Sequence, residues 1–275
     1  MRGHHSNSLT SALSLVLLLL LLVILPGCGS DGGSDGDGNG DGGGWAVAMM
    51  NKVPGDASMF TFTDVAAMRD DDDLNELYDD YKKKSESECA ALGISSDDVD
   101  RMEEGYSGYA FTVLEGQFAL DDVRIVLEAK GYQEGEYKKV QTWENSSADI
   151  EAVALVNATC IVIGDDIDNL EDSIDVIKGD DDSLSDDEDM SDFMGRLPAG
   201  VVVSVHTYET YRGCAVTGYS VKKKDSNTVL VTMLLLFDDE DSANDAMEDT
   251  RDEYGNSEVT KDGRYITVVA ESDIQ

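Results

Sequence analysis

One order of segments is run through twice in this chain, and that repetition limits its possible folds more than any other feature. Val53-Pro54-Gly55 ahead of an apolar run over 57–63 is echoed by Leu197-Pro198-Ala199 ahead of a second run over 201–207. Tyr109–Leu114, followed by an amphipathic stretch over 119–130, is echoed by Leu230–Leu236, followed by another over 240–254. Val156–Ile163 (VNATCIVI) is echoed by Lys261–Val268 (KDGRYITV). Each half reads as strand, strand, helix and hairpin, and recurrence at this scale is the mark of an internal repeat. Helices interleaved with hairpin strands predict an α+β fold of two ferredoxin-like-type halves. These would be mainly antiparallel sheets with helices packed on one face.

Periodicity places the remaining elements. Leu74, Leu77, Tyr78, Tyr81 and Leu92 fall on one helical face over 74–92, an insertion found only in the first half. Asp70–Asp73 sit at the positive end of that helix dipole. The spacing predicts a short helix over 96–104 and strands over 106–117, 136–143, 150–156 and 159–163. Ile167, Leu170, Ile174 and Ile177 predict an amphipathic helix stopped by Gly179. Strands follow over 214–222 and 227–237, and a closing hairpin turns at Asp262-Gly263. The division expected is a first domain over 45–179, an acidic hinge over 180–196 that includes a short helix at 190–196, and a smaller second domain over 197–275.

Residues 22–28 read Leu-Val-Ile-Leu-Pro-Gly-Cys. They end an apolar run from Ala12 that follows a leader carrying Arg2, the layout of a secretory signal. Ala12 to Pro26 is 15 residues, short of the ~20 that cross a hydrocarbon core. Leu25-Pro26-Gly27-Cys28 resembles the lipobox of bacterial lipoproteins. The resemblance implies cleavage after Gly27 and diacylglycerol on the Cys28 sulfur. It also implies a membrane-anchored extracytoplasmic location, at the cell surface or in the periplasm. Residues 29–44 (GSDGGSDGDGNGDGGG) are too polar to bury anything and form a tether with an r.m.s. span of roughly 20–24 Å. Asp37-x-Asn39-x-Asp41-Gly42 opens like a calcium loop, but position 12, where an acidic ligand belongs, is Ala48. The body also resembles uncharacterised duplicated domains on bacterial extracytoplasmic and lipid-anchored proteins. The likeness is carried by the Val/Leu-Pro entries to strands, the hairpin-Gly-helix unit at 154–178 and the spacing from Ser183-Leu184 to Leu197-Pro198. It implies no assigned activity.

Fifty-eight acidic residues against 20 basic ones give a formal net charge of −38. Such a surface repels nucleic acid and anionic headgroups. It attracts cations, or it suits a salty habitat where the charge is screened. Asp180, Asp181, Asp182, Asp186, Asp187 and Asp189 form the densest acidic run, and oxygen ligands of this kind suit Ca²⁺. Cys89, Cys160 and Cys214 remain besides Cys28. Cys160 and Cys214 both lie in predicted strands and make the expected disulfide, permitted outside the cytoplasm. Cys89 falls on the apolar side of its helix.

Catalytic and nucleotide motifs are missing: no H-E-x-x-H or Walker loop occurs, and no strand-borne G-x-S-x-G or G-x-G-x-x-G. His206, in the apolar strand VVVSVHTY, reads as a hydrogen-bonded structural residue. The expected function is therefore a non-enzymatic binding or envelope-structural role with a protein or envelope partner, and with no cofactor. A calcium-stabilised adhesion module and a carboxylate-dependent hydrolase are the alternatives.

Overall fold

In the computed structural model the described residues are 44–208 and 213–274. Twelve strands form one antiparallel sheet: β1 (Met59–Asp64), β2 (Val99–Tyr106), β3 (Ala110–Gly116), β4 (Gln133–Tyr137), β5 (Val140–Glu144), β6 (Ala152–Asn157), β7 (Cys160–Gly164), β8 (Val202–His206), β9 (Val216–Lys223), β10 (Thr228–Leu236), β11 (Glu258–Asp262) and β12 (Tyr265–Asp273). The helices are α1 (Gly44–Met49), α2 (Val65–Arg69), α3 (Asn75–Leu92), α4 (Leu120–Ala129), α5 (Ile167–Lys178), α6 (Glu188–Arg196) and α7 (Glu240–Glu253). The strand order is β11-β12-β10-β9-β8-β1-β2-β3-β7-β6-β5-β4. It reads outward from the β1–β8 pair as β1-β2-β3-β7-β6 on one side and β8-β9-β10-β12-β11 on the other. The β4–β5 hairpin extends the first side alone.

This order corrects two expectations. β1 pairs directly with β2, so no strand is threaded between them as a split β-α-β arrangement would require. Helices also cover both faces. On the first face a single core joins Phe60, Phe62, Val113 and Val162 to Val203, Val205, Leu234 and Leu236, beneath α1, α5 and α6. On the second face α2, α3 and α4 cover one cluster around Leu92, Leu127, Trp143 and Ile161. Helix α7 covers another around Leu235, Phe237 and Ile266.

The segment expected to be an acidic hinge is built into the first-face core. Leu184, Met190, Phe193, Met194 and Leu197 all belong to that core. Asp187 caps α6 by accepting from the Met190 N–H. Phe193 packs against the sheet where Gly218 leaves room: a Cβ there would stand 2.6 Å from the ring. The two predicted halves thus share one sheet and one core.

Several local expectations hold. The helix expected over 74–92 is α3, and α5 closes at Gly179, which is left-handed. Asp262-Gly263 turns the last hairpin, with Gly263 at φ 55°. Elsewhere the chain differs from its pattern. Residues 96–104 hold a 3-10 turn at Ser96–Asp98 and then β2, not a helix. The expected 106–117 strand begins only at Ala110, because Ser107 and Gly108 turn the β2–β3 hairpin. The expected 136–143 strand is a hairpin of β4 and β5, turned by Lys138 and Lys139 at positive φ.

Candidate functional site

Consecutive strand residues point to opposite faces, so Glu103 and Glu104 on β2 put one carboxyl into each layer at the middle of the sheet. Glu103 enters the first-face core. Its ladder partners are Phe62 and Val113, and theirs are Val203 and Val162. It is 0% exposed, and neither carboxyl oxygen has a hydrogen-bond partner among the described residues. Lys52, the cation that draws on it, is already bonded to Glu115. Burial pushes the Glu103 carboxyl well above the usual carboxylate range, with Lys52 opposing weakly. An ionised carboxylate here would carry a large desolvation cost, so the neutral acid is the folded form.

Glu104 enters the second face beneath α3. It stands in a polar row with Thr61, Ser204 and Thr112 as successive ladder neighbours. The Thr61 and Ser204 hydroxyls share a 2.9 Å hydrogen bond across the central β1–β8 pair. Desolvation first, and the neighbouring Glu88 second, push Glu104 up to about 8, against the pull of Lys84. Burial also raises Glu88 and lowers Lys84. The Lys84 Nζ and the Tyr81 hydroxyl are buried without a hydrogen-bond partner among the described residues. Cys89, one turn along α3, has its thiol pushed up to about 11 by burial, an inert thiol. Tyr81, Lys84, Glu88, Cys89 and Glu104 therefore make a mixed polar patch between one helix and the sheet.

The residues picked out from sequence do not converge on a site. Asp180 binds Lys138 at 2.8 Å. Asp181 accepts from the Asp182 N–H, and Asp186 accepts from the N–H and hydroxyl of Ser183. Asp187 caps α6, and Asp189 pairs with Arg264 at 2.7 Å. Five of the six carboxylates, all but Asp182, serve separate local donors, and no group of three or more His, Cys, Asp or Glu residues is placed to hold a metal among the described residues. The expected Cys160–Cys214 disulfide is also corrected: both are buried free thiols, as is Cys89. Cys160 is on β7 and Cys214 just precedes β9, five strand spacings away. At about 4.8 Å per spacing that is roughly 24 Å, far beyond the ~7 Å Cα limit for a bridge.

His206 holds Ser204 at 3.4 Å and Tyr208 at 3.3 Å through its two ring nitrogens, and burial lowers its pKa. That is the hydrogen-bonded strand histidine expected. Cys28 and the tether over 29–43 lie outside the described residues.

The Glu103–Glu104 pair gave no sequence signal as a site, because 58 acids make adjacent carboxylates common. Facing opposite sides of a sheet, the two cannot flank one scissile bond. Glu88 and Glu104 share a face, but both are pushed upward, whereas an acid–base division of labour needs values pushed apart.

No protein-family model matches this chain. No curated protein matches it either. Among solved structures it is similar to one titled "Structure of crystal form I of TP0453", at 10% identity and a TM-score of 0.50, over 82% of this chain and 92% of that one. At that identity the likeness is one of fold. No helix among the described residues is long and apolar enough to cross a membrane.

Proposed function

We propose that this chain is a lipid-anchored extracytoplasmic protein with a non-enzymatic binding or envelope-structural role. The observation that carries the reading is Leu25-Pro26-Gly27-Cys28, placed between an apolar leader and a Gly/Asp-rich tether. Diacylglycerol on Cys28 supplies the anchor, since each buried CH₂ contributes roughly 0.8 kcal/mol and two chains hold stably. The tether then stands the folded body off the membrane, where its acidity keeps it clear of anionic headgroups. In a two-membrane bacterium the outer membrane is the expected site, because Gly29 rather than Asp follows Cys28. The body is two related halves fused through β1 and β8, and the mirrored strand order on either side of that pair supports this. Its partner is a protein or another component of the envelope.

The test is metabolic labelling with an alkyne-bearing palmitate analogue in a bacterial host, followed by membrane fractionation. The wild-type chain should take up label and sediment with membranes. Cys28→Ser should lose the label and leave the membrane fraction. Equal labelling of both chains, or membrane retention of the unlabelled variant, would refute the anchor.

A further inference from the structure

We propose that residues 44–53, where the tether meets the body, form a strap that stays closed over the sheet while Glu103 is neutral and opens when Glu103 ionises. The strap comprises α1 and the 3-10 turn Met50–Lys52. It buries Ala46, Met49, Met50 and Val53 in the first-face core. Two of its side chains bracket Glu103. Trp45 stacks edge-on against Phe62, the ladder partner of Glu103, with ring centroids 6.4 Å apart. The Arg101 guanidinium lies 5.9 Å from the Trp45 ring, two residues along β2 from Glu103 and on its face. At the other end Lys52 is bonded to Glu115, which neighbours Glu103 diagonally across the β2–β3 ladder.

The charged and titratable groups around Glu103 come from every neighbouring element. The strap gives Lys52 and β3 gives Glu115, which neutralise each other. Arg101 on β2 leans toward Glu115 at 3.6 Å. Strand β7 gives Cys160, the partner of Glu115, and α5 gives Lys178, which acts on Cys160. β1 and β8 present Phe62 and Val203. Lys52 and Arg101 are thus committed to Glu115, and the ladder neighbours of Glu103, Phe62 and Val113, are apolar. When it loses its proton, the nearest relief is water, and the cheapest route for water is removal of the strap.

The strap is the first-face cover that begins the described residues. It is in no strand ladder of the sheet; its attachments to the segment after α5 are the Leu184 N–H donating to the Val53 carbonyl, and next to it the Gly55 N–H donating to Asp182 and the isolated Pro54–Ser183 bridge. The internal helices α5 and α6 are fixed at both ends by the fold. Opening frees one proton, so the open-to-closed ratio climbs about tenfold per pH unit across the range where closed Glu103 is protonated and open Glu103 is not. The device links the acid at the centre of the sheet to the segment leaving toward the tether. It does so whether or not Cys28 carries lipid.

Hydrogen exchange followed by mass spectrometry, on the full chain in detergent between pH 5 and pH 8, tests this after correction for intrinsic exchange. Protection of peptides within 44–58 should fall with rising pH by up to tenfold per unit, while β10 and β12 keep theirs. Glu103→Gln should keep the strap protected throughout, and Glu103→Leu, which removes the polar atoms too, should do the same. A flat wild-type profile, a fall shared with β10 and β12, or a fall that persists in both variants would overturn the proposal.

Discussion

Phe193→Ala should cost about 3–5 kcal/mol, the range for emptying a fully buried aromatic site. Phe193 is 0% exposed and is held by α6 over Gly218, whose ladder neighbours are Val205 and Leu234. The ring occupies the volume that a side chain at 218 would need, since a Cβ there would stand 2.6 Å and 2.8 Å from two ring carbons. Gly218→Ala alone should therefore strain a packed core and cost about 1–3 kcal/mol. In the Phe193→Ala background the new methyl enters the vacated space, so the second substitution should cost little or stabilise. The double-mutant cycle then yields a coupling of about 1–3 kcal/mol, as expected for residues in contact. Urea unfolding read by the fluorescence of Trp45 and of Trp143, which is 1% exposed, supplies the four free energies. A Phe193→Ala cost below about 1 kcal/mol, with additive behaviour at 218, would refute the packing and restore 180–196 as a loose linker.

Two further outcomes follow from the carboxylates. Glu104, raised to about 8 from an ordinary 4.5, holds a proton in the folded chain that the unfolded chain releases. Its contribution is therefore complete below about pH 4.5 and lost as pH climbs toward 8, at most about 1.4 kcal/mol per unit and less where water screens this half-buried group. Glu104→Gln should flatten that fall, read as the urea midpoint at pH 5 and pH 7; an unchanged pH slope would refute it. For the acidic run at 180–189, millimolar CaCl₂ and NaCl of matched ionic strength should raise the unfolding midpoint equally, because five of the six aspartates serve separate donors and none of the described groups is placed to hold a metal. A site at 100 times its Kd would add roughly 2.7 kcal/mol for Ca²⁺ alone, and that result would contradict the separate placement of these side chains.

Legibility followed the apolar pattern. Ile167–Lys178 repeats its apolar residues cleanly at helical spacing and folds as read. The β6–β7 and β11–β12 hairpins were recognisable as counterparts, and they occupy mirrored places in the sheet. Strand β2 was not legible, because Asp100, Arg101, Glu103 and Glu104 fill half of its eight positions. Burial between β1 and β3 makes it a strand, and a single sequence does not state which neighbours it will have. The same gap explains the cysteines: strand identity suggested a bridge, but pairing depends on strand order, which placed Cys160 and Cys214 far apart. In 188–196 the apolar positions Met190, Phe193 and Met194 had helical spacing, and the helix was expected. The surrounding acids hid that its face was a core face.

The two faces of the sheet also divide the work of the molecule. The first face has one core running across both halves, so it makes them a single body, and the strap and Glu103 belong to it. The second face has two clusters, one under α2, α3 and α4 and one under α7. On the proposed duplication the halves differ here, because α4 and α7 are counterparts but α3 has none. Tyr81, Lys84 and Glu88 all come from α3, so the polar patch around Glu104 exists in only one half. On the proposed binding role, what distinguishes one half from the other is to be sought on the second face, beside α3, where buried polar groups of the described chain still lack partners. The first face, continuous and apolar around one acid, is where the two halves can respond together.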